Sequence, residues 1–155
     1  MEKSVKYSYT EQVQILSQGS LNGYRRLFGG QLMAWIDVVA AVVARRHSGK
    51  NVTTVVVDTL QFKGPAYAND TIVLIGKVTY VGNTSMEICV NSYVEELNGT
   101  KKLITTAYIV MVALDENEVP TTVPRLIIET EEEKREWAAA LKRNKLRKSR
   151  KIEKY

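Results

Sequence analysis

The sequence predicts an α+β fold, one long helix lying against a strongly curved antiparallel sheet, on three observations. The elements run strand, long helix, four strands, terminal helix. The links between the later strands are of hairpin length, which makes their sheet antiparallel. The long helix is apolar on more sides than one sheet face can cover, so curvature and a second subunit are both expected.

The chain has 155 residues, the length of one domain. Residues 5–16 alternate and are rich in valine, tyrosine, threonine and isoleucine, the pattern of a first strand. Ser17 to Arg26 reads as a loop. Gly29-Gly30 open a helix that runs to about Arg46, and His47-Ser48-Gly49 end it with basic residues in the last turn and glycine just beyond. Asn51 to Phe62 and Thr71 to Val81 are the next two strands. Ser85 to Glu96 alternates Met86, Ile88, Val90, Ser92 and Val94 against Glu87, Cys89, Asn91 and Tyr93. Leu97-Asn98-Gly99-Thr100 is a hairpin turn into the last strand, Lys101 to Leu114. Beyond Pro120 and Pro124, Thr130-Glu131-Glu132-Glu133 supplies a capping residue and acids in a first turn, and the final helix is expected to end near Arg147. The expected organisation is a single domain over residues 1–130 and a basic helical extension over 131–155.

The formal charge of +5 is unevenly placed: residues 1–130 hold 12 Lys/Arg and 12 Asp/Glu, and residues 131–155 hold 10 and 5. Such a tail suits a solvated helix end, whose cations complement the helix dipole, or a phosphate-bearing small molecule, an acidic membrane surface or nucleic acid. Nucleic acid fits least, because Trp137 and Tyr155 are the tail's only aromatics. The apolar run Val38 to Ala44 is far short of the ~20 residues a membrane span needs. The N-terminus has no apolar leader segment. The single cysteine, Cys89, permits no internal disulfide and no multi-thiolate metal site. A reducing, cytoplasmic location is the expectation, with no metal and no cofactor.

Several chemistries are missing. The one histidine, His47, is expected to be an exposed helix-end residue, so a histidine triad has no base. Cys89 reads as a small buried hydrophobe on a strand. No nucleophile elbow, Walker loop or dinucleotide fingerprint is present. What remains is Asn22, Gly29-Gly30 and Asp37. Free N–H groups at a glycine-rich helix start attract anions and polarise carbonyls. Burying an ionised carboxylate costs several kcal/mol unless it is paired, so Asp37 inside an apolar helix is either a structural cap or a reacting group, as base on water or as nucleophile. Asn22 can position a water or simply make a turn.

The frame Asn22-x5-Phe28-Gly29-Gly30-x-Leu32-Met33-x-Trp35-Ile36-Asp37 resembles the hotdog-fold acyl-CoA thioesterases, closest to the brain-cytosolic type of acyl-CoA hydrolase and its bacterial relatives. Ala44 to His47, Val52 to Asp58, Phe62 to Pro65, Val81 to Glu87 and Val123 to Lys134 extend the likeness over most of the chain. The resemblance implies hydrolysis of acyl-CoA to a fatty acid and CoA, with Asp37 as general base or nucleophile and Asn22 facing the Asp37 of a neighbouring subunit. It implies substrate contacts at Phe28, Gly29, Gly30, Thr84 and Ser85, with the Gly30 N–H polarising the thioester carbonyl. It also implies a homo-oligomer, a dimer assembling into a trimer of dimers, with no metal or cofactor. The alternatives are a non-catalytic acyl-CoA-binding regulatory module and a hydroxyacyl thioester dehydratase, which would need a histidine that His47 is misplaced to supply. Arg25 stands where many relatives have glycine, and Asn83 where arginine is common. Any phosphate contact made by that arginine would pass here to Arg25, Arg26, Lys63 or the tail.

Overall fold

In the computed structural model, which describes residues 1–154, the chain forms β1 (Glu2–Ser4), a one-turn α1 (Val5–Ser8), β2 (Thr10–Ile15), α2 (Gly29–Ser48), β3 (Asn51–Phe62), β4 (Thr71–Val81), β5 (Ser85–Glu95), β6 (Lys101–Leu114), β7 (Arg125–Ile127) and α3 (Glu131–Glu153). Five strands make one antiparallel sheet in the order β2-β4-β5-β6-β3. The α+β expectation holds, and so do the four later strands to within a residue of their expected ends.

α2 lies on the concave face. Leu32, Ile36, Val39, Ala40, Val43 and Ala44 recur at helical spacing and are essentially removed from water against Ile72, Leu74, Met86, Ile88, Ile109 and Met111. Each large aliphatic buried this way contributes roughly 1.5–3 kcal/mol. The helix comes close to β4 because of Gly76: a Cβ there would lie 2.8 Å from both Val39 and Val43. Gly49, at φ 67°, ends the helix with its N–H on the Arg45 carbonyl, as the sequence predicts.

α3 covers the convex face. Trp137 packs against Tyr80 with the rings tilted by 48° and 4.6 Å between centroids, and Ala140 is fully buried. Thr130 caps the helix by accepting from the Glu133 N–H at 3.0 Å. Because α3 lies there, Glu87 and Cys89 on the outer face of β5 are buried as well.

Four expectations need correction. Residues 5–16 are not one strand: Val5 and Ser8 are buried three apart with Lys6 and Tyr7 outside, a helical turn that separates β1 from β2. The three-residue β1 pairs in parallel with β7, which follows Pro124 and is too short to show a period. α3 continues past Arg147 to Glu153, because Arg147 and Arg150 are pinned to the sheet. That pinning also means that part of the tail's positive charge faces inward.

His47 is buried, not exposed, and its Nε2 lies 2.8 Å from the Pro124 carbonyl. Burial lowers its pKa below the ordinary 6.5, aided by Lys3 and Arg125, while the Pro124 bond works in the opposite sense. The unfolded chain therefore takes up the imidazole proton first as pH falls, and the native state loses stability below about 6.5. The urea midpoint of the wild type should fall more steeply between about pH 7.5 and pH 5.5 than that of His47→Gln, which keeps a donor for Pro124 but does not titrate. Parallel curves for the two proteins would refute this.

Candidate active site

Asp37 is not buried within one chain. It sits on the flank of α2 that the sheet leaves open, beside Met33, Ala34 and Val38, all exposed. It is nonetheless held: the Thr54 hydroxyl of β3 donates to Asp37 Oδ1 at 2.7 Å. Thr54 lies in the cross-strand row with Met111 and Met86, whose side chains are buried toward α2, so the pleat aims Thr54 at the helix. Oδ2 is left to accept from something else.

Gly30 is two turns before Asp37, about 10 Å along the axis and within about 20° in rotation, so both face the same way. The Phe28 carbonyl accepts from Gln31 and Leu32, which leaves the Gly29 and Gly30 N–H groups without a partner among the described residues. Two phenylalanines bracket the glycines. A Cβ on Gly30 would stand 2.7 Å from the Phe28 ring, and one on Gly29 3.2 Å from the Phe62 ring. Both rings are more than half exposed, at 54% and 56%. Free donors between apolar walls at the helix start suit the carbonyl of an apolar acyl group, and the carboxylate that meets it must come from another chain, since Asp37 of the same helix is about 10 Å away.

Asn22 belongs to a tight loop beside this helix end. Its Oδ1 accepts from the Tyr24 and Arg26 N–H groups at 2.9 and 3.3 Å. Phe28 N–H donates to Ser20 O and ties the loop to the helix start. Arg25 takes a left-handed φ of 58°, which costs an ordinary side chain roughly 1–2 kcal/mol and explains why glycine suits this position. The Asn22 Nδ2 has no protein partner among the described residues.

The structure thus brings Phe28, Gly29, Gly30 and Asp37 onto one helix. It does not bring Thr84 and Ser85 to them within a chain. Both lie at the β4–β5 turn, where the Thr84 carbonyl accepts from Ala113 N–H at 3.0 Å. Ser85 is in the row Ser85–Val112–Thr53, one residue out of step with the row that faces α2. Thr54 and Phe62 were not singled out as site residues from the sequence. Their signal is strand parity: each is on the α2 side of β3.

Cys89 does not belong to this site. Burial pushes its thiol up to about 12, and it lines a separate cavity of about 320 Å³ on the convex face with Tyr9, Lys77, Tyr93 and Glu136. Among the described residues no group of three His, Cys, Asp or Glu is placed to hold a metal ion.

A profile of the thioesterase superfamily matches residues 24–99. The chain is 40% identical over 131 residues to YkhA of Bacillus subtilis, described as an uncharacterised acyl-CoA thioester hydrolase, across 84% of this chain and 76% of that one. An acyl-CoA hydrolase from Staphylococcus aureus, solved with butyryl coenzyme A and coenzyme A, superposes with a TM-score of 0.95 at 32% identity, covering 99% of this chain and 94% of that one. Alanine variants of that enzyme at an asparagine, an aspartate and a threonine have also been solved, and the three are spaced along its chain as Asn22, Asp37 and Thr54 are here. A hexameric acyl-CoA thioesterase in its apo form superposes at 0.92 with 37% identity, covering 96% of each chain.

With its thiol held protonated, Cys89 should resist iodoacetamide in the native protein and react once urea unfolds it, with native activity unchanged by the treatment. Intact-mass measurement reads the outcome, and rapid native alkylation would contradict it.

Proposed function

The chain belongs to the thioesterase superfamily, and on that premise we propose that it hydrolyses acyl-CoA to a free fatty acid and CoA with Asp37 as the reacting carboxylate. The observation that carries this reading is the Thr54-held Asp37 carboxylate on the open flank of a helix whose start leaves the Gly30 N–H unpartnered among the described residues. The thioester carbonyl oxygen docks on the Gly30 N–H of a neighbouring chain, because the same chain's Gly30 is about 10 Å from Asp37 along α2, and the helix dipole there favours the developing oxyanion. Asp37 Oδ2 either takes a proton from a water that adds to the carbonyl carbon, or attacks that carbon itself to give an anhydride that water then opens. In both routes the C–S bond breaks, CoA leaves as thiolate and is protonated, and the fatty acid carries the new oxygen. Phe28, Phe62 and Met33 wall the acyl chain, and Thr84 and Ser85 meet the substrate from a neighbouring chain.

The single chain leaves β3 as an unpaired edge beside the exposed Val55, Val57 and Val38. A second copy pairing there closes the edge and removes water from the face that carries Asp37. Hexamers are recorded for related thioesterases, and three such dimers are the assembly proposed. Asn22 of a neighbouring subunit then offers its free Nδ2 toward Asp37 or its water. A pure acyl-CoA-binding module would have no use for an anchored carboxylate, and His47, tied to Pro124, is not available for a dehydratase. Among the described residues no helix is long and apolar enough to cross a membrane. The cytoplasm is the proposed location, consistent with the lone unpaired thiol.

Asp37→Ala should remain a folded oligomer and lose about a hundredfold or more of kcat on acyl-CoA, followed by thiol release. Near-wild-type turnover would sink the assignment. Asn22→Ala should also be weak. Co-expressed in equal amounts, the two dead variants should regain about a quarter of wild-type activity if each site draws on two chains, and none if it does not.

A further inference from the structure

β3 is the strand whose register is least secured by its neighbours. It pairs on one side only, with β6, and its ladder shifts twice, at Thr54/Val56 and at Val57/Thr59. Val55 and Asp58 are the extra residues. A slip of one residue in such a strand turns every side chain to the opposite face. Thr54 stands immediately before the first shift, so its hydroxyl reaches Asp37 only in the register observed.

The second shift is clamped. The Asp58 carboxylate, 3% exposed, is held at both oxygens, by Arg147 at 2.8 Å and Arg150 at 2.6 Å. Arg147 also donates to Glu87 of β5 at 2.7 Å. Glu87 has no side-chain exposure and accepts in addition from Arg143 at 2.8 Å and from Thr79 of β4 at 2.6 Å. The Arg143 guanidinium lies 3.7 Å from the centre of the Tyr108 ring of β6. One cluster therefore ties α3 to β3, β4, β5 and β6. Stability alone does not account for it, because a buried ion pair roughly breaks even with apolar packing of the same volume.

We infer that Asp58, with Arg147 and Arg150, is a positioning device: the C-terminal helix locks the bulged register of β3 and so holds Thr54 against Asp37. This rests on Asp37 being the reacting carboxylate. Arg150 is the mildest place to test it, since its side chain is 48% exposed and, among the described residues, bonds only to Asp58. Asp58→Asn is the stronger companion variant, and circular dichroism checks the fold of both.

Arg150→Gln should lower kcat about tenfold with KM unchanged, because the misplaced group is a reacting one and the binding surface is untouched. Arg150→Lys should restore most of the loss. In a Thr54→Val background the same substitution should have no further effect, since the contact it protects is already gone. Amide hydrogen exchange over residues 53–57 should speed up while α2 keeps its protection. Losses that multiply in the Thr54→Val background, a change in KM alone, or unaltered exchange in β3 would each overturn the inference. Faster β3 exchange in Arg150→Gln together with an active Asp37→Ala would instead overturn the reading of Asp37, and with it the catalytic half of this inference, leaving the register lock standing.

Discussion

Where α2 crosses β4, Gly76 leaves no room for a side chain, since any Cβ would stand 2.8 Å from Val39 and Val43. This close approach sets both the height of the helix above the sheet and its rotation. With Val39 and Val43 turned inward, helical geometry carries Asp37 and Gly30 to the open flank and keeps them on one side of the axis. The same rotation brings the Asp37 carboxylate within reach of Thr54 on the edge strand. A bulkier residue at position 76 would lift or roll the helix, and carboxylate, helix-start N–H groups and edge strand would lose their mutual alignment together. The most permissive backbone position in β4 thus governs a site to which it contributes no atom.

The opposite face answers a different requirement. A sheet with Glu87 and Asp58 on its convex side cannot be covered by an apolar helix without stranding two carboxylates in the interior. α3 resolves this with three of its arginines, while Arg135 stays exposed. Arg143, Arg147 and Arg150 turn inward, where planar guanidinium groups make several directed bonds at once. Lys142, Lys145, Lys148 and Lys151 remain outside, except where Lys148 and Lys151 edge the groove over the valines of β3. Arg143 is raised above its usual pKa: burial opposes the charge, but the Glu87 carboxylate beside it outweighs that penalty. The terminal helix is therefore bound into the sheet by its charges as much as by Trp137 and Ala140.

Which parts of this were legible in the sequence follows from the range of the forces involved. α2 and β3 to β6 announce themselves by local period, by a glycine C-cap and by hairpin turns, all interactions between residues close in sequence. The one-turn α1 and the β1–β7 pair are too short for any period to register. His47 looks like an exposed helix-end cation until Pro124, 77 residues on, closes over it. The charge excess of the tail was visible, but its partners Glu87 and Asp58 lie 60 and 89 residues from Arg147, and no composition can pair them. In the site, Asn22, Gly29-Gly30 and Asp37 stood out because glycine pairs and lone acids are unusual in an apolar context. Thr54 and Phe62 did not, since threonine and phenylalanine are ordinary in a strand and only parity shows which face they serve.

The exposure of Asp37 in the single chain is itself informative. A carboxylate beside Met33, Ala34 and Val38 gains nothing from a fully wet apolar strip, and a thioester would meet bulk water there. The strip adjoins the unpaired edge of β3, so one partner surface can close both at once. Asn22 fits the same geometry from its own side. Its oxygen is spent inside its loop, on Tyr24 and Arg26, while its amide hydrogens are left to a group outside the loop. A donor without an acceptor and an acceptor oxygen without a donor, each held rigidly by its own chain, are complementary halves. Joining them across two copies, as proposed, would satisfy the polar groups and bury the apolar back of the helix in the same step, which a single chain of this fold cannot do.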